Sequence, residues 1–174
     1  MSLPSFIEFP DVTKARRILA IQPHYDDNDI AAGGTLHLLA NRGAEIIYLT
    51  VTDDLAGVIN PGWDKNIALE KLQMNQDKAG KIIGVSQHFH LNLPDGGKYD
   101  YFFLRDQLIG YIREIKPDFL FTVDPWAPYE AHNDHILTGK ASAEAAILYP
   151  MMKIGSGTFS NSIEYALQGV IFYN

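Results

Sequence analysis

Cysteine is absent from this chain of 174 residues, so thiolate metal sites, thiol nucleophiles and disulfide frameworks are all excluded. Basic residues are few and scattered. Lys and Arg number 14 against 21 Asp and Glu, a formal charge of −7, and no dense basic footprint is available to neutralise phosphates. No nucleic-acid partner is expected. No apolar run approaches the ~18–20 residues that cross a bilayer, so no membrane span is expected either. The opening stretch MSLPSFIEFPDVTKARRILA lacks a basic region followed by an apolar run, and no signal peptide is read there. The expectation is a soluble, cytoplasmic protein.

What the chain does contain is ordinary in bulk. Hydrophobic residues at 47% and charged residues at 20% argue against disorder and coiled coil. The length suits one hydrophobic core, and a single domain over 1–174 is expected. Short β-rich runs alternate with helical patterns. RILAIQP (17–23), EIIYLTVT (45–52), 87–93, FLFTV (119–123) and GVIFY (169–173) read as strands; 33–42, 65–83, 101–115 and 134–146 read as helices. Gly84 closes the second helix, and Pro117 stops the third. This alternation predicts βαβ units: an α/β, Rossmann-like domain whose mostly parallel sheet carries helices on both faces. Ligands of such sheets bind beyond the carboxyl ends of the strands. Pro23 to Asp27, Asp53-Asp54, Pro94-Asp95-Gly96 and Asp124 to His135 all follow expected strands, so the polar clusters converge on one rim.

Imidazole and carboxylate are both good ligands for zinc and similar divalent ions. His24 and Asp27 lie three residues apart where a strand turns into a helix, and His135 follows the fourth strand. Two histidines, one carboxylate and an open position form a catalytic zinc set. Asp26 stands beside a ligand and suits a general base. His132, three residues before His135, is placed to polarise a carbonyl or protonate a leaving amine, and Asp134 to orient an imidazole. Gly33-Gly34 permits close backbone approach, and the helix start there is expected to favour anionic oxygens. Each piece has a plainer explanation. Asp26-Asp27 and Asp134 are all suited to capping helices, and Gly33-Gly34 to making a turn. His37, His88 and His90 are read as structural.

Pro23-His24-Tyr25-Asp26-Asp27, the following Gly34-Thr35 and the distant His132-Asn133-Asp134-His135 resemble the LmbE-like/PIG-L family of N-deacetylases. The family pattern is His-Pro-Asp-Asp, a Gly-Gly-Thr opening the first helix, and a late His-Pro-Asp-His. Leu93-Pro94-Asp95-Gly96 and Lys116-Pro117-Asp118 also match family turns. The resemblance implies zinc-dependent hydrolysis of an N-acetyl group on an amino sugar of the N-acetylglucosamine type. It implies His24, Asp27 and His135 as metal ligands, Asp26 as general base, and His132 as the group assisting the tetrahedral intermediate or leaving amine. Tyr25 and Asn133 stand where the family has proline, and Leu72 and Asn75 align where members often carry arginine and glutamate. The chain stops at Asn174, shorter than typical members, which leaves room for a missing C-terminal segment. The oligomeric state is open, a homo-oligomer included.

Two other readings compete. A receiver-like signalling domain would bind magnesium through its acidic pair and use Asp53 as phosphate acceptor, but would leave Gly33-Gly34-Thr35 and His132 to His135 without a role. A sugar-binding module of the same fold would lack turnover. Trp63, Tyr99, Trp126 and Tyr129 fall in rim loops, suited to stacking on sugar rings or to anchoring the loops.

Overall fold

The computed structural model describes residues 9–157 and 165–174; the first eight residues of the stretch read for a signal peptide lie outside that range. β1 (Arg17–Gln22), β2 (Glu45–Thr52), β3 (Val85–Leu93), β4 (Phe119–Val123) and β5 (Gly169–Tyr173) form one sheet in the order β3-β2-β1-β4-β5. Every neighbouring pair is parallel. Helices α1 (Gly33–Asn41), α2 (Lys65–Ile83), α3 (Tyr101–Ile115) and α4 (Asn133–Leu148) supply the crossovers. The expected α/β architecture is present, and its strand order is not the 2-1-3-4-5 of receiver domains.

The side-chain alternation of β1 and β2 builds two cores. Leu19, Ile21, Ile47, Leu49 and Val51 pack with Leu104, Leu108, Ile109 and Ile112 of α3 and with Ala141 and Ala145 of α4. On the opposite face Ile18, Ala20, Ile46 and Tyr48 pack with Leu36 and Leu39 of α1 and Ile83 of α2. Burial on both faces explains why the strands read as near-continuous apolar runs. The second face turns polar at its carboxyl end, where Gln22, Thr50 and Thr52 are fully buried.

Local chemistry sets the helix ends. Asp64 accepts from the N–H groups of Asn66 and Ile67 to start α2, and Gly84 ends it at φ 98°, a conformation cheap only for glycine. Asp100 caps α3 through Phe103 N–H. One segment departs from expectation. Asn28–Ala32 forms a π-helical turn that runs directly into α1. Gly33 and Gly34 therefore lie inside a continuous helical run, not at its start, and the expected anion-favouring helix start is not there. Gly33 instead faces Ile83, 3.4 Å from where a Cβ would sit, which lets α1 and α2 approach closely.

Candidate metal centre and active site

β1 and β4 are adjacent in the sheet, and the chain leaves β1 on one side and β4 on the other. That is the switch point at which open α/β sheets form their crevice. His24 follows β1 and His135 lies in the first turn of α4 after β4, so the topology brings together residues from opposite halves of the chain.

His24 Nδ1 lies 3.3 Å from Asp27 Oδ2, and His135 Nε2 lies 3.3 Å from Asp27 Oδ1. Tetrahedral zinc with bonds of ~2.1 Å requires donors about 3.4 Å apart, so the spacing and the donor types fit a metal. The three residues offer ligand atoms all within 4.8 Å of one another. Each imidazole is backed by a carboxylate on its other nitrogen. Asp95 Oδ1 is 3.4 Å from His24 Nε2, and Glu130 Oε2 is 3.0 Å from His135 Nδ1. That pairing fixes ring orientation and raises ligand basicity.

Asp27 could have been a helix cap, but it makes no side-chain capping bond. It accepts instead from the His24 N–H at 2.8 Å. Burial disfavours its charge, yet bonds from His135 and His24 outweigh burial and hold its carboxyl well below the usual range. Burial also opposes a charged His24, but the bond to Asp27 and the charges of Asp27, Asp54 and Asp95 lift its pKa to about 9. The bond to Asp27 raises His135, with burial opposing. Burial lifts Asp54 to about 6 against the charge of His24.

His132 occupies the N-cap position of α4 without making a side-chain cap bond. Its ring is exposed, with its centroid 4.7 Å from that of His24 and 4.9 Å from that of His135. Asp134 is fully enclosed. Its oxygens accept from Gly96 N–H at 2.9 Å and Gly97 N–H at 2.8 Å, and Oδ2 stands 3.6 Å from His132 Nδ1. A group so enclosed lies out of a substrate's reach; it stands beside His132 and pins the β3–α3 turn. Asp26 is exposed and lines a cavity of about 660 Å³ together with His24, Asp54, Asp95 and His132.

The loop from Ala56 to Asn60, with Trp63 and Leu72, also lines the cavity. Of the four rim aromatics only Trp63 lines it. Tyr99 packs against the core under α3 and α4; Trp126 and Tyr129 are exposed but stand outside the cavity lining. Asp53, the acceptor of the receiver reading, is buried, bonded to the Asp95 N–H and paired with Lys65 at 3.4 Å. His90 bonds Gln76 Oε1 at 2.8 Å, and His37 bonds the Ile83 carbonyl at 3.2 Å. His88 packs edge-on against Tyr48. None of the three lines the cavity.

The residues that sequence reasoning missed are Glu130, Asp54 and the carboxylate role of Asp95. All three lie in segments that follow strand ends, and that position was their only signal.

A family model described as GlcNAc-PI de-N-acetylase, PIG-L, matches residues 19–146. The chain belongs to the PIG-L family. The match spans β1 through most of α4 and so contains both polar motifs. Among PIG-L relatives, the diacetylchitobiose deacetylase of Thermococcus kodakarensis is 29% identical over 167 residues, covering 95% of this chain and 61% of its own. A 1D-myo-inositol 2-acetamido-2-deoxy-alpha-D-glucopyranoside deacetylase of Streptomyces avermitilis is 30% identical, covering 76% of this chain and 53% of its own. The solved N,N'-diacetylchitobiose deacetylase of Pyrococcus horikoshii, complexed with its inhibitor MPG, superimposes with a TM-score of 0.80 at 27% identity, over 92% of this chain and 61% of that one. The chain thus spans between about half and three fifths of the length of these PIG-L relatives. No described helix is long and apolar enough to cross a membrane.

Proposed function

We propose that the protein is a zinc-dependent N-deacetylase that hydrolyses the acetamide of an amino sugar or its conjugate. The observation that carries the reading is the pairing of His24, Asp27 and His135 at metal-ligand spacing beside a cavity that Asp26 and His132 line. Family membership and two relatives whose names describe deacetylases of N-acetylated sugars support the same chemistry.

His24, Asp27 and His135 would hold the metal, which when bound supplies Lewis acidity and lowers the pKa of water toward ~7. Asp26 takes a proton from the attacking water as its oxygen bonds to the acetyl carbon. His132, its imidazole aimed by Asp134, steadies the negative charge that develops on the carbonyl oxygen. It then gives a proton to the amine nitrogen as the C–N bond breaks, leaving acetate and a free amine. Asp95 and Glu130 keep the two ligand rings in place. The protein works in the cytoplasm on a small-molecule substrate, with no nucleic-acid partner.

The test is metal analysis of purified protein, combined with acetate release from a panel of N-acetylglucosamine glycosides before and after chelation. Acetate release that chelation abolishes and zinc restores is expected. Metal-replete protein that releases no acetate from any sugar amide overturns the reading.

A further inference from the structure

Asp26 lines the cavity, yet its carboxylate is exposed and makes no hydrogen bond or ion pair among the described residues. A group that takes a proton from an attacking water must be held within reach of it, so the backbone has to do the holding. On one side the Asp26 carbonyl accepts from Ile30 N–H at 2.9 Å, which ties it to the π turn. On the other side stands Tyr25, only 3% exposed and fastened at every polar group. Its N–H donates to Asp54 Oδ2 at 3.4 Å, and its carbonyl accepts from Gln76 Nε2 at 3.3 Å. Its hydroxyl donates to Asn92 Oδ1 at 3.4 Å and accepts from Gln73 Nε2 at 3.3 Å. Its ring stacks on His90, with centroids 5.3 Å apart and planes 23° apart. His90 bonds Gln76 Oε1 at 2.8 Å, so one bonded pair holds both the ring and the carbonyl of Tyr25. Each hydrogen bond to Tyr25 is long, but together they reach β3, α2 and the loop after β2. Asn92 adopts φ 50°, where β3 slips register against β2 between Thr50 and Thr52. Such irregularities re-aim side chains, and this one presents Asn92 to the Tyr25 hydroxyl. His24, the other neighbour of Tyr25, has its own supports in Asp27 and Asp95.

From these contacts we infer that Tyr25 is the positioning residue for Asp26: its hydroxyl, tied to Gln73 and Asn92, fixes the backbone that aims the Asp26 carboxylate, while the metal ligands do not depend on it. The inference rests on the deacetylase reading for the role of Asp26 as base, but the placement of the carboxylate can be tested without that reading. A proline at this position would preset the backbone through its ring. A tyrosine leaves φ free, and here the side chain supplies the restraint. Little loosening is needed to matter, because a reacting group misplaced by ~1 Å can cost ~10²-fold in rate.

Tyr25→Phe keeps the ring and its stacking on His90 and removes only the hydroxyl. In the zinc-loaded full chain, with N-acetylglucosamine glycosides as substrates, it should lower kcat about threefold or more while KM and zinc content stay within about twofold of the parent. Gln73→Met, at a half-buried position of α2, should lower kcat in the same direction. The double variant should be no slower than Tyr25→Phe alone, because both changes break the same link. In an Asp26→Asn background Tyr25→Phe should cost less than about 1.5-fold, whereas a tyrosine that merely supports the fold would slow that variant as well. Crystal structures of the parent and of Tyr25→Phe read the placement without turnover. The Asp26 carboxylate should hold one position in the parent and be shifted, or divided between conformers, in the variant. Unchanged kcat in both single variants, zinc loss in Tyr25→Phe, a full further loss in the Asp26→Asn background, or an Asp26 carboxylate that keeps its parental position overturns the inference. A parent that releases no acetate from any sugar amide overturns the deacetylase reading instead, and the two crystal structures then decide the placement of Asp26 on their own.

Discussion

Glu130 accepts from the Nδ1 side of His135 at 3.0 Å while the Nε2 side of the same ring faces Asp27 at 3.3 Å. The imidazole is thus clamped between two carboxylates, one of them the proposed co-ligand of a metal. His135→Ala should abolish stoichiometric zinc, whereas Glu130→Gln should keep the ring but weaken zinc binding by ~10–100-fold, the usual effect of removing such a partner. Competition with a chelating dye measures both. Parental affinity in His135→Ala would show that the metal is held by other groups, with His24, His132 and Asp134 the next cluster to test.

Asp26 lines the cavity but is separated from the ligand role by its neighbour Asp27, which faces both histidines. Asp26→Asn is nearly isosteric and cannot accept a proton at neutral pH. It should retain zinc and slow acetate release by ~10²-fold or more. Zinc loss in this variant would instead make Asp26 a ligand.

His132 makes no capping bond, and its Nδ1 stands 3.6 Å from Asp134 Oδ2. His132→Ala should leave zinc content unchanged and lower kcat by roughly 10²-fold or more, the scale of removing one preorganised charge-stabilising group. Asp134 is proposed to aim His132 but also bonds Gly96 and Gly97 N–H; per zinc-loaded folded molecule, adding Asp134→Ala to that variant should reduce kcat little further. Full additivity of the two losses would separate the residues functionally.

Proton and metal compete for His24. In the metal-free protein its pKa is lifted from 6.5 to about 9. A group raised on folding contributes stability that is complete below 6.5 and is lost as pH rises through about 9; His135 shifts in the same direction. Asp27 is held low and stays ionised throughout this window. Metal-free protein should therefore lose thermal stability between pH 6.5 and 9. Zinc requires the neutral rings, so the stability it adds should grow over the same range. Thermal scans of both forms across this range measure the gap, and a gap that fails to widen contradicts the ligand set.

Behind the site the polar carboxyl ends of β1 and β2 form a bonded thread. Gln76 donates to Thr50 Oγ1 at 2.8 Å and to the Tyr25 carbonyl at 3.3 Å, while accepting from His90. Gln76→Leu leaves the Tyr25 carbonyl, Thr50 and His90 short of partners in a buried setting. A loss of about 1–3 kcal/mol in denaturant stability is expected. A parental midpoint would mean that this amide contributes nothing net.

How much of this was legible beforehand varied with the kind of contact. The strands declared themselves because burial on both faces demands β-branched and apolar runs such as Glu45 to Thr52. The approach of His24, Asp27 and His135 to one another was legible because strand ends restrict place. Glu130 and Asp54 stayed hidden. Their roles depend on where the β4–α4 and β2–α2 loops turn, and no periodicity records that. The π turn at Asn28–Ala32 was missed because five residues are too few to show a changed helical period. The helix start expected at Gly33-Gly34 lies earlier because the π turn before it carries the helical run back to Asn28.

Asn28 sits in that turn, next to Asp27, and its side-chain oxygen accepts from the Tyr173 hydroxyl at 2.5 Å, across 145 positions of sequence. Such a bond sets an order of assembly. A chain emerging from the ribosome exposes β1 and the ligand-bearing turn long before β5 exists, and pairings this remote must wait for loop closure. The two motifs can approach once β4 has docked beside β1, but the turn beneath Asp27 gains its last tether only when the edge strand zips into place. On the proposed ligand set, metal capture and completion of the sheet are then expected to be coupled. Zinc added during refolding should speed the final phase rather than the first.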